Sequence, residues 1–177
     1  LVAFTPEGYL SLPTNGFSLR WFRTIASYPE FIHAFWVSLG LGALSSFVAL
    51  LFAVPAALAI ARYKFRGRDA LAALFLSPLM IPHVVLGIAF LRFFTSTGLG
   101  GSFAALIIAH VIIVFPFALR LTLAAATGMD RTVEMAAVSL GAGGWTLFRR
   151  VTLPLILPGV ISGWALAFIQ SFDDLTM

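Results

Sequence analysis

The sequence predicts an all-α, polytopic transmembrane helical bundle, and three observations carry that expectation. Four apolar runs, each long enough as a helix to cross a bilayer, recur along the chain. Hydrophobic residues are 60% of the chain and charged residues 10%, where soluble domains are about 45–50% apolar and about 25% charged. The cations sit in the segments between runs or at their ends, where they mark sidedness rather than a nucleic-acid face, although the net charge is +4. There is no cysteine, which excludes a disulfide framework and a thiolate metal site. The chain starts at Leu1 and stops at Met177 inside an apolar segment, so it is expected to be a fragment of a longer polypeptide.

Residues 1–33 mix Gly, Pro, Ser, Thr and Asn with aromatics, and Arg20 and Arg23 lie near Trp21. Trp21, Phe22 and Tyr28 suit the headgroup level, and an ordered outer-face arm is expected. Residues 34–60 make the first span, about 40 Å long as a helix. Ser38, Gly42 and Ser46 recur every four residues and Ala53, Ala57 and Ala61 continue the pattern, a stripe that lets helix backbones approach closely. Pro55 is expected to bend this helix near its inner end. Arg62, Lys64, Arg66 and Arg68 then face only Asp69, which marks the cytoplasmic side; a lipid-headgroup or polyanion site is the alternative.

Residues 70–94 make the second span, broken at Pro78 and Pro82, with His83 following. A broken helix at membrane depth must be covered by protein or line a water-filled cavity. The simpler reading is a proline kink with His83 hydrogen-bonded in the bundle. A charge-free Ser/Thr/Gly turn leads to the third span, residues 103–121, which holds His110 and Pro116 and ends where Arg120 can snorkel to the inner interface. A buried, hydrogen-bonded histidine is the default for His110, since no Glu or second His stands four residues away to share a metal.

Residues 157–177 make the fourth span, in which Gly159 and Gly163 form a GxxxG packing face. Asp173 and Asp174 close it. Adjacent carboxylates cost of order 2.5–3.5 kcal/mol each at a bilayer centre, so they must face water, a cation or a cavity. Alternatively they have already emerged at the outer surface, roughly 25 Å from Leu157. Eight cations fall on the side of the 62–69 and 122–156 connectors and three, Arg20, Arg23 and Arg92, on the other, which puts those connectors in the cytoplasm.

The connector 122–156 organises the chain. Asp130 is an N-cap candidate, with a capping box from Thr127 to Asp130 as the other possible start. Val133, Ala136, Ala137 and Leu140 give one mildly apolar helical face, and Gly141 stands where a left-handed C-terminal residue belongs. A second short helix, residues 145–150, is expected to end in Arg149 and Arg150, with Pro154 stopping it and Pro158 opening the last span.

Ala136-Ala137, three residues, Gly141, nine residues, then Val151-Thr152-Leu153-Pro154 resembles the "EAA loop" of permease subunits of binding-protein-dependent ABC importers. The family's Glu falls at Met135, and Glu134 lies one residue earlier. The resemblance extends along nearly the whole chain. The Gly-x-Ser-Leu-Arg-Trp of the arm, Phe65-Arg66-Gly67-Arg68, Ser77-Pro78-Leu79 with Pro82, and Ser171-Phe172-Asp173-Asp174 are similar to the polyamine (spermidine/putrescine) branch.

This resemblance implies the type I importer permease fold, here a fragment of about four spans lacking a first and a last. It implies a second permease subunit, two cytoplasmic ATPase subunits, a periplasmic or lipid-anchored solute-binding protein and the lipid of a bacterial inner membrane. It also implies alternating access driven by ATP binding. Glu134, Met135, Ala136, Ala137, Gly141, Val151, Leu153 and Pro154 would couple to the ATPase, while His83, His110, Asp173 and Asp174 are candidates for the substrate path. No cofactor and no nucleic acid are implied. Related branches import iron, sulfate, molybdate or opines with similar loops.

Two other classes compete. An ion- or proton-coupled secondary transporter would use the two histidines and the Asp pair as a relay. A membrane enzyme or scaffold is the other. The sequence has no phosphate loop, so ATP hydrolysis is expected in a separate subunit, and it carries neither a Ser/His/Asp set nor His-Glu-x-x-His.

Overall fold

The computed structural model describes residues 2–6, 9, 12 and 16–174. Every regular element among them is helical. The chain divides into two compact units, Leu1–Gly40 and Leu41–Met177.

In the first unit a 3₁₀ turn, Val2–Phe4, precedes α1, Arg20–Ala26. Here the indole Nε1 of Trp21 donates to the carbonyl of Thr5 at 3.1 Å, and the Phe4 ring meets Phe17 and Phe22. Aromatic contacts and one indole hydrogen bond thus order the arm. α2, Pro29–Arg62, is one helix with Pro55 inside it.

The second unit holds the membrane-length helices. α5, Phe103–Gly128, is capped at its start by Ser102, whose hydroxyl accepts from the amide of Ala105. It continues past Leu121 because the next residues, Thr122 to Thr127, are mostly apolar helix formers. α8, Leu153–Phe172, lies along it. The core joins Ala49, Ala53 and Ala57 of α2 to Ile113, Val114, Ala118 and Leu119 of α5 and Ala167 of α8. Alanines supply the shared seam because helices in lipid gain stability from close backbone packing, the surroundings being as apolar as their side chains. Gly159 and Gly163 complete it on α8, each facing a backbone carbonyl of α5.

The second apolar run is split more sharply than a proline kink. α3, Arg68–Leu76, passes into a 3₁₀ turn, Ser77–Met80, and α4 starts at His83 and ends at Ser96; the two arms meet at 102°. Ile81 is extended, as a residue before proline prefers, and Pro82 removes a helix donor, so the helical ladder cannot pass the pair. Among the described residues, three helices are long and apolar enough to cross a membrane, four if the bent pair is one span.

Pro154 does not end a helix, and Pro158 does not open one. A four-residue helix, α7, Gly144–Leu147, runs into a π turn, Phe148–Thr152, and straight on into α8 with Pro158 inside it. Pro154 lacks an N–H, and its ring would crowd the carbonyl of Arg150 in a regular α-turn. The wider π turn carries the backbone past that obstacle. Arg149 and Arg150 accordingly lie within a continuous helical path, not at its C-terminus.

Candidate functional site

The connector between α5 and α8 is built around α6, Arg131–Ser139. Its start is local chemistry: the Asp130 carboxylate accepts from the amide of Thr132 at 2.9 Å, while Thr127 bonds back to Leu123 and Ala124 within α5. The backbone hydrogen bond from Thr132, then its side chain, holds the Asp130 carboxyl below its ordinary range. The end of α6 is equally local. Gly141 adopts φ +85°, its amide donates to Val138 at 2.9 Å, and Ala142 donates to Ala137 at 3.0 Å. These are the paired bonds of a Schellman end, and the left-handed residue between them favours glycine.

The two faces of α6 differ in chemistry. Glu134 and Ala137, three apart, turn toward the rest of the chain. Glu134, with its side chain 12% exposed, pairs with the Arg62 guanidinium at the end of α2 and accepts from the Thr152 hydroxyl at the end of the π turn. Arg62 also donates to Thr152 Oγ1 at 3.2 Å, closing a three-residue ring of hydrogen bonds. Arg131 donates to the carbonyl of Ala61, which lies in the last turn of α2.

The rest of α6 and the turn after it are open, and besides Thr132 and Ser139 they expose apolar side chains. Met135 is 60% exposed, Leu140 89% and Trp145 71%, with Val133, Ala136 and Val138 also outward. The helical face expected from Val133, Ala136, Ala137 and Leu140 is therefore largely the outward one; only Ala137 is half-buried. Beyond the π turn, Val151 and Leu153 are half-buried and Pro154 is exposed. Sequence reasoning missed Arg62, Thr152 and Arg131 as parts of this site; no local pattern links residues 72 or 90 positions apart.

The substrate-path candidates lie elsewhere. His110 is buried on α5, and its Nδ1 hydrogen-bonds the Ser171 hydroxyl of α8 at 2.7 Å, so it is a satisfied bundle histidine. Asp173 caps the end of α8 and is exposed, and Asp174 follows it, half-buried. His83 is half-buried at the first residue of α4, just past the break. A cleft of about 450 Å³ between α4 and α5 is lined by apolar groups including Val84, Phe90, Phe94 and Ala109. No cluster of His, Asp and Glu that suits a metal exists among the described residues.

The sequence profile of the family described as "Binding-protein-dependent transport system inner membrane component" matches residues 49–177. The chain is 31% identical over 175 residues to the spermidine/putrescine transport system permease protein PotC of Haemophilus influenzae, covering 99% of this chain and 68% of that protein. It is 31% identical over 169 residues to the putrescine transport system permease protein PotI of Escherichia coli, covering 92% and 60%. It is 37% identical over 139 residues to a protein of Haloferax volcanii named as a probable molybdenum ABC transporter permease, covering 74% and 52%. The chain thus spans between about half and about two thirds of the length of these relatives.

Proposed function

Because the chain belongs to the family of binding-protein-dependent transport system inner membrane components, we propose that it forms the substrate path of an ATP-driven importer in a bacterial cytoplasmic membrane. In this reading it pairs with a second permease subunit and receives solute from a periplasmic or lipid-anchored binding protein. Two cytoplasmic ATPase subunits supply the energy. The arm 1–33 lies outside, residues 34–60, 70–94, 103–121 and 157–177 are the crossing regions, and the 122–156 connector lies inside. The eight-to-three division of cations supports that sidedness.

The observation that carries the coupling role is the set of exposed apolar side chains on α6 and the segment that follows it. A connector in water gains nothing from exposing Met135, Val138, Leu140 and Trp145 together unless a partner covers them. With Glu134 bonded inside the chain, the outward residue at the family's Glu position is the apolar Met135, so the ATPase groove facing it is apolar as well.

The cargo proposed is a polyamine. The names of the PotC and PotI relatives support this, and Asp173 and Asp174 would attract a polycation and repel an oxyanion. A molybdate-type oxyanion is the second reading, favoured by the Haloferax relative's name. Proteoliposomes carrying the full-length permease and its partner subunits should take up labelled spermidine or putrescine only with ATP and binding protein. Uptake of molybdate without polyamine uptake would replace the cargo, and uptake driven by an ion gradient without ATP would replace the class.

A further inference from the structure

The ring formed by Arg62, Glu134 and Thr152 does something the outward face of α6 does not: it ties α6 to the end of α2 and to the start of α8. Arg62 is the last residue of α2, Glu134 lies mid-way along α6, and Thr152 is the last residue of the π turn that opens α8. Thr152 is fully buried, and the Glu134 and Arg62 side chains are 12% and 21% exposed. Arg131, one turn earlier on α6, adds a second tie to α2 through the Ala61 carbonyl.

We propose that Arg62, Glu134 and Thr152 are positioning residues that form a transmission joint, through which movement of α6 is passed to the inner ends of α2 and α8 together. The proposal rests on α6 being the element the ATPase moves. Hydrogen bonds lose strength within a fraction of an ångström and a few tens of degrees. A partly buried charge pair is costly to separate, because the charge left behind stays poorly solvated. The Arg62 Nε is itself buried without a partner, so the guanidinium depends on Glu134 and Thr152 for the bonds it makes here. A displaced α6 therefore drags the helix ends with it rather than sliding over them. Apolar contact alone would allow sliding, since it has no preferred direction. The π turn fits the same role: its wider coil lets the start of α8 rotate without breaking a regular α-helical ladder.

The test uses the full-length permease assembled with its ATPase and binding-protein partners in proteoliposomes, reading three quantities: ATPase subunit retained, ATP hydrolysed and solute carried. Glu134→Gln and Arg62→Gln should each lower solute carried per ATP about tenfold, the size of one ordinary coupling interaction, with the retained ATPase unchanged. The double exchange Arg62→Glu with Glu134→Arg should recover much of the loss. In the otherwise cysteine-free chain, Arg62→Cys with Glu134→Cys should be uncoupled until a short bifunctional thiol reagent bridges the pair. Unchanged solute per ATP in both glutamine variants overturns the joint, as does failure of the bridge to restore uptake. Loss of the ATPase from Glu134→Gln also overturns it, since Glu134 would then belong to the docking face. Met135→Asp separates the two levels. If it retains ATPase and uptake, the docking reading fails, and the joint fails with it. If it loses the ATPase while Glu134→Gln keeps it, both stand.

Discussion

Gly159 of α8 crosses Ala125 of α5 with no room for another carbon between them. A Cβ on Gly159 would collide with the Ala125 Cβ and lie 2.9 Å from the Leu121 carbonyl oxygen. One turn on, a Cβ on Gly163 would lie 3.0 Å from the Ala118 carbonyl. The α5–α8 seam is thus set by backbone meeting backbone. Gly159→Val should push the helices apart at a cost of about 1–3 kcal/mol, the usual range for overpacking. Gly143→Ala, where nothing lies within 4 Å, should be close to neutral. Thermal unfolding in detergent compares the two directly, and equal melting would mean the seam is looser than these distances.

Sidedness can be read at Ser139, the last residue of α6. The chain has no cysteine, so Ser139→Cys is a single reporter once any cysteine elsewhere in the full-length protein is replaced. An impermeant thiol reagent should label it in inside-out vesicles and leave it unlabelled in intact cells. Labelling from outside would invert the whole topology.

Gly141 has φ +85° with open space around it, so a side chain there is opposed by backbone strain and not by collision. Any larger residue should cost the connector roughly 1 kcal/mol, leaving the permease inserted. Gly141→Asp should nevertheless lose ATPase recruitment or substrate-stimulated hydrolysis, because the changed exit angle shifts the exposed Trp145 of α7 relative to α6. Normal uptake with the ATPase bound would end the coupling role of the turn.

Asp130 gives a pH signature. Its carboxyl is held below the ordinary range by the Thr132 amide, so its capping contribution is complete above the usual aspartate value and disappears as pH falls through the depressed one. Protection of the amides in the first turn of α6, taken relative to their intrinsic exchange rates at each pH, should fall on acidification in that window and stay constant there in Asp130→Asn. Identical profiles would show that the cap does not hold the turn.

Asp173→Asn with Asp174→Asn should slow polyamine uptake and leave the assembly intact, since Asp173 is exposed at the end of α8. Two carboxylates beside a partly dehydrated path attract a polycation more strongly than they would in bulk water. Unchanged uptake kinetics would assign the pair to the outer surface alone.

Much of this molecule is local and was legible in the chain. Long apolar runs determine that the helices suit a membrane, because hydropathy needs no partner to act. Asp130 and Gly141 bound α6 through bonds to residues within four positions, and the glycine spacing of α8 marks a close-packing face wherever its partner lies. Tertiary structure alone decided the rest. Whether Pro154 ends a helix or is carried past by a π turn depends on where α8 must point to pack on α5. Whether Pro78 and Pro82 kink or fold back the second run depends on the same kind of packing, and the outcome is a 102° bend. Glu134 is expected from the sequence among the residues that couple to the ATPase, yet its partners in the fold are Arg62 and Thr152, brought to it from distant parts of the chain. A side chain's neighbours along the chain fix its helix and its cap; its charge partner is fixed only when separate helices converge, because an ion pair acts over a few ångströms of space regardless of separation in sequence.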